Sequence, residues 1–197
     1  MLSQLALYLR LGFHHIADLA GYDHVLFVAA LAIPYTLRDW KGLAVLVTAF
    51  TVGHSMTLAL ATLRLVAVSP TLVEALIPAT IIATAAMSWR SMSPGHEHEP
   101  IMLGRYVMAS AFGLIHGLGF STYLRALLGE EERMMLPLLA FNVGLEFGQL
   151  LILAVVLLAG VVLVPRILSR RRWVLVQVGV TGGLALLLLG QRLLAAR

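Results

Sequence analysis

Gly12-Phe13-His14-His15-Ile16-Ala17-Asp18-Leu19-Ala20-Gly21-Tyr22-Asp23-His24 runs directly into Val25-Leu26-Phe27-Val28-Ala29-Ala30-Leu31-Ala32-Ile33. Three histidines and two carboxylates thus stand at the entrance of an apolar run. An ionisable group placed in hydrocarbon costs about 2.5–3.5 kcal/mol on insertion scales, so such groups face a cavity, a partner or a ligand path. Gly21 is a natural break between the histidine-bearing part and the apolar part. The stretch reads as half of a metal site at the mouth of a membrane span.

The remainder of the chain agrees with a membrane setting. Of 197 residues, 60% are hydrophobic and 12% charged, with a mean hydropathy of +0.92, far from the roughly one-quarter charged content of soluble domains. Apolar runs cover about 22–37, 42–63, 72–89, 102–120, 136–164 and 174–194. At about 20 residues per crossing these predict about six transmembrane helices. The fold class is all-α, a polytopic membrane helix bundle forming one integral-membrane domain over residues 1–197. The first ten residues lack the basic region and cleavage site of a removable signal and suit an additional interfacial or re-entrant helix. Pro78 removes a backbone donor inside the third run and predicts a kink there.

Basic residues lie between the apolar runs, where they set topology and meet lipid headgroups, so the formal charge of +4 gives no reason to expect nucleic acid. The connections after the first, third and fifth spans hold eight Lys and Arg and the opposite side six, an excess that places both termini outside. The chain has no cysteine, so a transition metal must be held by His, Asp, Glu, Asn or Met.

Further polar residues recur inside the spans. The second carries Thr51-Val52-Gly53-His54-Ser55 and the fourth Gly113-Leu114-Ile115-His116-Gly117, whose glycines have the small-xxx-small spacing of close helix contacts. In the fifth, Asn142, Glu146 and Gln149 fall within about 60° on a helix, with Gly144 and Gly148 near the opposite face. A single buried histidine is readily explained as interhelical glue. Several across four spans, with Glu146 needing a cationic partner, point instead to a shared ion. Imidazole with carboxylate suits zinc, nickel, cobalt or iron rather than magnesium or calcium.

The expected metal residues are Asp23, His24, His54, His116 and Glu146, with His14, His15 and Asn142 as accessory or entry ligands. Asp23 can ligate directly or orient a histidine through the ring's other nitrogen. His14 and His15 point about 100° apart and do not share one ion on a straight helix. Glu74 reads as an interfacial carboxylate, and the methionines as packing. The tract His96-Glu97-His98-Glu99 is either a metal-collecting loop or a solvated connector. His54 and Ser55 are neighbours on one helix and cannot form a nucleophile and its base.

These motifs, in this order from about residue 12 to 150, resemble the HupE/UreJ family, and in particular its broader second branch. The resemblance implies a multi-pass protein of the bacterial inner membrane that works as a secondary permease for nickel or cobalt. The metal ion is then its substrate and the lipid bilayer its other partner. The alternatives are an intramembrane zinc hydrolase, with Glu146 as general base, and a metal-stabilised assembly protein.

Overall fold

The computed structural model describes residues 2–18, 21–90, 103–128 and 135–195. Among them are seven α-helices: α1 (Leu2–Ala17), α2 (Asp23–Ala32), α3 (Trp40–Thr62), α4 (Pro70–Arg90), α5 (Leu103–Leu128), α6 (Met135–Leu163) and α7 (Arg170–Ala195). Helices α3, α4, α6 and α7 are long and apolar enough to cross a membrane. Helix α5 is as long, 26 residues, and carries His116 and several small polar groups at its centre. The outer faces of α6 and α7 expose Val155, Leu158, Leu186 and Leu187, as lipid contact requires. The chain is an all-helical membrane bundle.

The first span departs from the expected continuous helix over 22–37. Helix α2 has ten residues and α1 sixteen, about 15 and 24 Å at 1.5 Å per residue, so neither alone crosses hydrocarbon about 30 Å thick. Together they do. Leu9 and Gly12 of α1 lie against residues 141–145 of α6, and Phe13 and Ile16 against 144–148, so α1 runs parallel to α6 and ends near its middle. Helix α2 continues in that direction: Asp23 shares a cavity with Glu74 and Pro78, and further on the Ser88 hydroxyl donates to the Ala30 carbonyl at 2.9 Å. The N-terminal helix is thus the first half of a broken span: α1 ends at Ala17 and α2 begins at Asp23.

The other turns have visible causes. Thr36 donates from its amide and hydroxyl to Asp39 at 2.8 and 2.9 Å, which fixes the turn into α3. After α3, Leu65 N–H reaches back to the Leu60 carbonyl at 2.9 Å, and Arg64 takes φ 62° at the position where glycine is usual. Arg170 at the start of α7 donates to the carbonyls of Ile33 (3.2 Å) and Tyr35 (2.8 Å), beyond the end of α2. Pro78 lies inside an unbroken α4, where the hydroxyls of Thr80 and Thr84 bond to the carbonyls of Ile77 and Thr80. Helix α4 runs antiparallel to α7, with Glu74 beside Arg192 and Ala85 beside Gly182.

Two helix pairs are sewn together by glycine, and they repeat one another. A Cβ at Gly12 would strike the Phe141 carbonyl oxygen and the Leu145 amide nitrogen, while one at Gly113 would strike the Phe50 carbonyl oxygen and the His54 amide nitrogen. A Cβ at Gly144 would meet the Leu9 carbonyl and the Phe13 amide, and one at Gly53 the Ser110 carbonyl and the Leu114 amide. Helix α1 therefore corresponds to α5 and α3 to α6, with Gly12-x-x-His15 matching Gly113-x-x-His116 and Phe50-x-Val52-Gly53 matching Phe141-x-Val143-Gly144. Thr84 and Thr181 make the same bond to the carbonyl four residues back, at 2.8 Å each, one residue before the touching pair Ala85 and Gly182. The broken span with α3 and α4, and then α5 with α6 and α7, form two three-crossing halves of opposite direction. Each half lends a helix to the other, and the break in the first span lies between them.

Candidate metal centre

The centre is assembled from the ends of the break and the middle of α3. His15, on the last turn of α1, follows Gly12 by three residues, so the face that lets α1 close on α6 also turns His15 inward. His24, on the first turn of α2, is 3% exposed. His54 is fully buried beside Gly53. One ligand nitrogen from each of these three residues lies within 4.8 Å of the others. The ring centroids are 4.8 Å apart for His15 and His24, 5.5 Å for His24 and His54, and 6.1 Å for His15 and His54.

The lone pairs of this group are unused. Among the described residues, His15 Nε2, His24 Nε2 and both nitrogens of His54 are buried without a hydrogen-bond partner. A buried polar group left in this condition is costly, and a bound ion removes the cost. Two nitrogens held tetrahedrally at about 2.1 Å stand about 3.4 Å apart, so ligation requires the rings to draw in by about 1 Å.

Asp23 orients the central ring. Its Oδ1 lies 3.0 Å from His24 Nδ1 and accepts the His24 backbone N–H at 2.8 Å. Nδ1 therefore carries the proton and Nε2 faces the other histidines, the carboxylate–histidine arrangement of metal sites. Asp23→Asn is expected to weaken metal binding by about 10- to 100-fold while the helices stay in place, as isothermal titration of Ni²⁺ into the purified protein will read.

His116 adjoins this group without joining it. Its ring centroid is 5.1 Å from that of His24. Thr80 spends its hydroxyl proton on the Ile77 carbonyl at 2.7 Å and so accepts from His116 Nε2 at 2.9 Å. His116 Nδ1 is then the free lone pair, and it is buried without a partner among the described residues. Phe27 and Phe50 flank His116 at 5.1 and 5.2 Å, and Phe120 lies on His15 at 3.7 Å, walling the cluster with apolar rings.

Of the remaining expected residues, His14 and Glu146 lie apart from this group. His14 faces outward, exposed, with Arg10 Nε at 3.5 Å. Glu146 is not part of the histidine group: its two carboxylate oxygens are bonded by the hydroxyls of Thr48 and Thr51, each at 2.5 Å. Thr51 also lies 2.6 Å from Gln149 Oε1. Asn142 Oδ1 is buried and unpartnered among the described residues. The Glu146 carboxylate found hydroxyl partners where the sequence pattern suggested a cation. Thr48, Thr51 and His54 recur every three residues on α3, a polar stripe that pairs with the one on α6. No sequence signal marks Thr80 or Phe120 as neighbours of the site. The tract His96–Glu99 lies outside the described residues.

The family model described as HupE / UreJ protein matches residues 1–192. The chain belongs to the HupE/UreJ family. No curated protein and no solved structure matches it. The HupE/UreJ family is associated with nickel and cobalt transport, and this HupE/UreJ protein places its histidine cluster where its first span is broken.

Proposed function

We propose that this HupE/UreJ protein is a secondary permease for a divalent transition metal, nickel or cobalt first, in the bacterial inner membrane. The ion is its substrate, met by His15, His24 and His54, with Asp23 orienting His24 and His116 at the next position along the path. The observation that carries this reading is the convergence of buried His24 and His54 with part-buried His15, their buried ring nitrogens unpartnered among the described residues, at the break of a membrane span. Broken helices and halves of opposite direction around a midplane site are the architecture of secondary transporters. Neutral imidazoles select borderline transition metals over the hard cations that outnumber them.

An intramembrane zinc hydrolase would need Glu146 as general base beside a metal-bound water. Glu146 instead pairs with Thr48 and Thr51, and no observation favours that reading.

The test is flux. Protein in liposomes loaded with a metal-sensitive dye is expected to admit Ni²⁺ or Co²⁺ faster than empty liposomes, and His24→Ala is expected to cut that flux at least tenfold. Equal flux in the variant would remove the cluster from the pathway, and tight metal retention with no flux would favour a resident cofactor.

A further inference from the structure

A cavity of about 80 Å³ is lined by Gly21, Tyr22 and Asp23 at the break, Glu74, Ile77 and Pro78 of α4, and Leu188 and Arg192 of α7. At its rim Arg192 Nη1 meets Glu74 Oε2 at 3.2 Å, the two side chains 50% and 49% exposed. Further in, Asp23 is 27% exposed, and behind it the His24 side chain is 4% exposed. Exposure thus falls stepwise from the ion pair, through a second carboxylate, to the histidine that Asp23 holds.

We propose that this cavity is the entry vestibule for the hydrated divalent cation and that the Arg192–Glu74 pair is its gate, an inference that rests on the permease reading above. While paired, Arg192 neutralises Glu74, so the mouth offers an approaching cation no net negative charge. Once the pair opens, Glu74 and Asp23 present two carboxylates in series, which raise the local cation concentration and lead it to His24. A half-exposed ion pair is weakly held and screened by salt, as a gate that opens often must be. The antiparallel packing of α4 and α7 brings the two charges together although 118 positions separate them in the chain. Glu74 is therefore more than an interfacial carboxylate, and α7 supplies the charge that faces it.

The chain has no cysteine, and a Cβ added at Gly21 meets nothing within 4 Å, so Gly21→Cys places one thiol in the vestibule without a collision. The experiment measures the rate at which a cationic, membrane-impermeant thiol reagent labels Gly21→Cys in liposomes, and Ni²⁺ uptake by the cysteine-free protein. Adding Arg192→Gln is expected to speed labelling about three- to tenfold and to lower the KM for Ni²⁺, while Arg192→Lys keeps both near their starting values. Glu74→Gln is expected to slow labelling and raise KM with little change in the maximal rate. Labelling that is the same with Arg192 and with Gln in its place overturns the gate, whatever the transport result. Labelling that changes as expected, in a protein that neither carries Ni²⁺ nor is protected by it, leaves the vestibule standing and overturns the permease reading.

Discussion

His54→Ala is expected to reduce Ni²⁺ or Co²⁺ affinity more than 100-fold and to bring flux to the level of empty liposomes. The reason is local. His54 is fully buried in the middle of α3, and neither ring nitrogen has a protein partner among the described residues, so the side chain contributes no hydrogen bond to the fold. Removing a group that merely orients a metal ligand costs about 10- to 100-fold in affinity, and removing a ligand itself costs more. The stability cost is expected to be smaller than for a typical buried large-to-small change, because the cavity left behind is offset by the loss of two unsatisfied polar atoms. Binding by isothermal titration and thermal unfolding in detergent, measured on the same preparation, separate the two effects. Affinity within about threefold of the parent chain would show that His54 is not a ligand.

Gly53→Ala is expected to destabilise the protein by about 1–3 kcal/mol, and Gly53→Leu to prevent folding. The added Cβ would fall on the carbonyl of Ser110, a backbone atom that no rotamer change can move. Helices α3 and α5 would have to separate, carrying His54 and His116 with them. Because the α1–α6 contact repeats the α3–α5 contact, Gly144→Ala is expected to cost about as much as Gly53→Ala, through the carbonyl of Leu9. Gly179→Ala is the control: its Cβ meets nothing within 4 Å, and alanine is the better helix former by up to about 1 kcal/mol. Denaturation in mixed micelles will rank the three. Equal tolerance at Gly53 and Gly179 would refute the close approach.

Long apolar runs made most of the spans legible in the sequence, because hydrocarbon thickness sets helix length more firmly than any local propensity. The broken first span was only half visible: Gly21 signalled a break, but a run of residues does not reveal that α1 continues the path of α2. In the sequence His15 ranks below Asp23 and His24 because adjacent histidines point about 100° apart on a helix. The informative interval was Gly12 to His15, which puts the histidine on the face that closes against α6. Glu146 stands out in the sequence through its cost in the membrane, which calls for a partner but does not say whether that partner is a cation or a pair of hydroxyls. The repeat is written in Phe50-x-Val52-Gly53 and Phe141-x-Val143-Gly144, yet three shared letters carry little weight until their backbones are seen to meet the same kind of neighbour. The Arg192–Glu74 pair and the Thr80–His116 bond depend on helix packing and have no signature along the chain.

The most direct measurement of the metal centre is X-ray absorption at the nickel edge on purified protein loaded with one equivalent of Ni²⁺. The structure predicts imidazole scattering from three histidines, falling to two in His15→Ala with Asp23 and His24 intact. A shell of oxygen ligands alone, unchanged by His15→Ala, would contradict it.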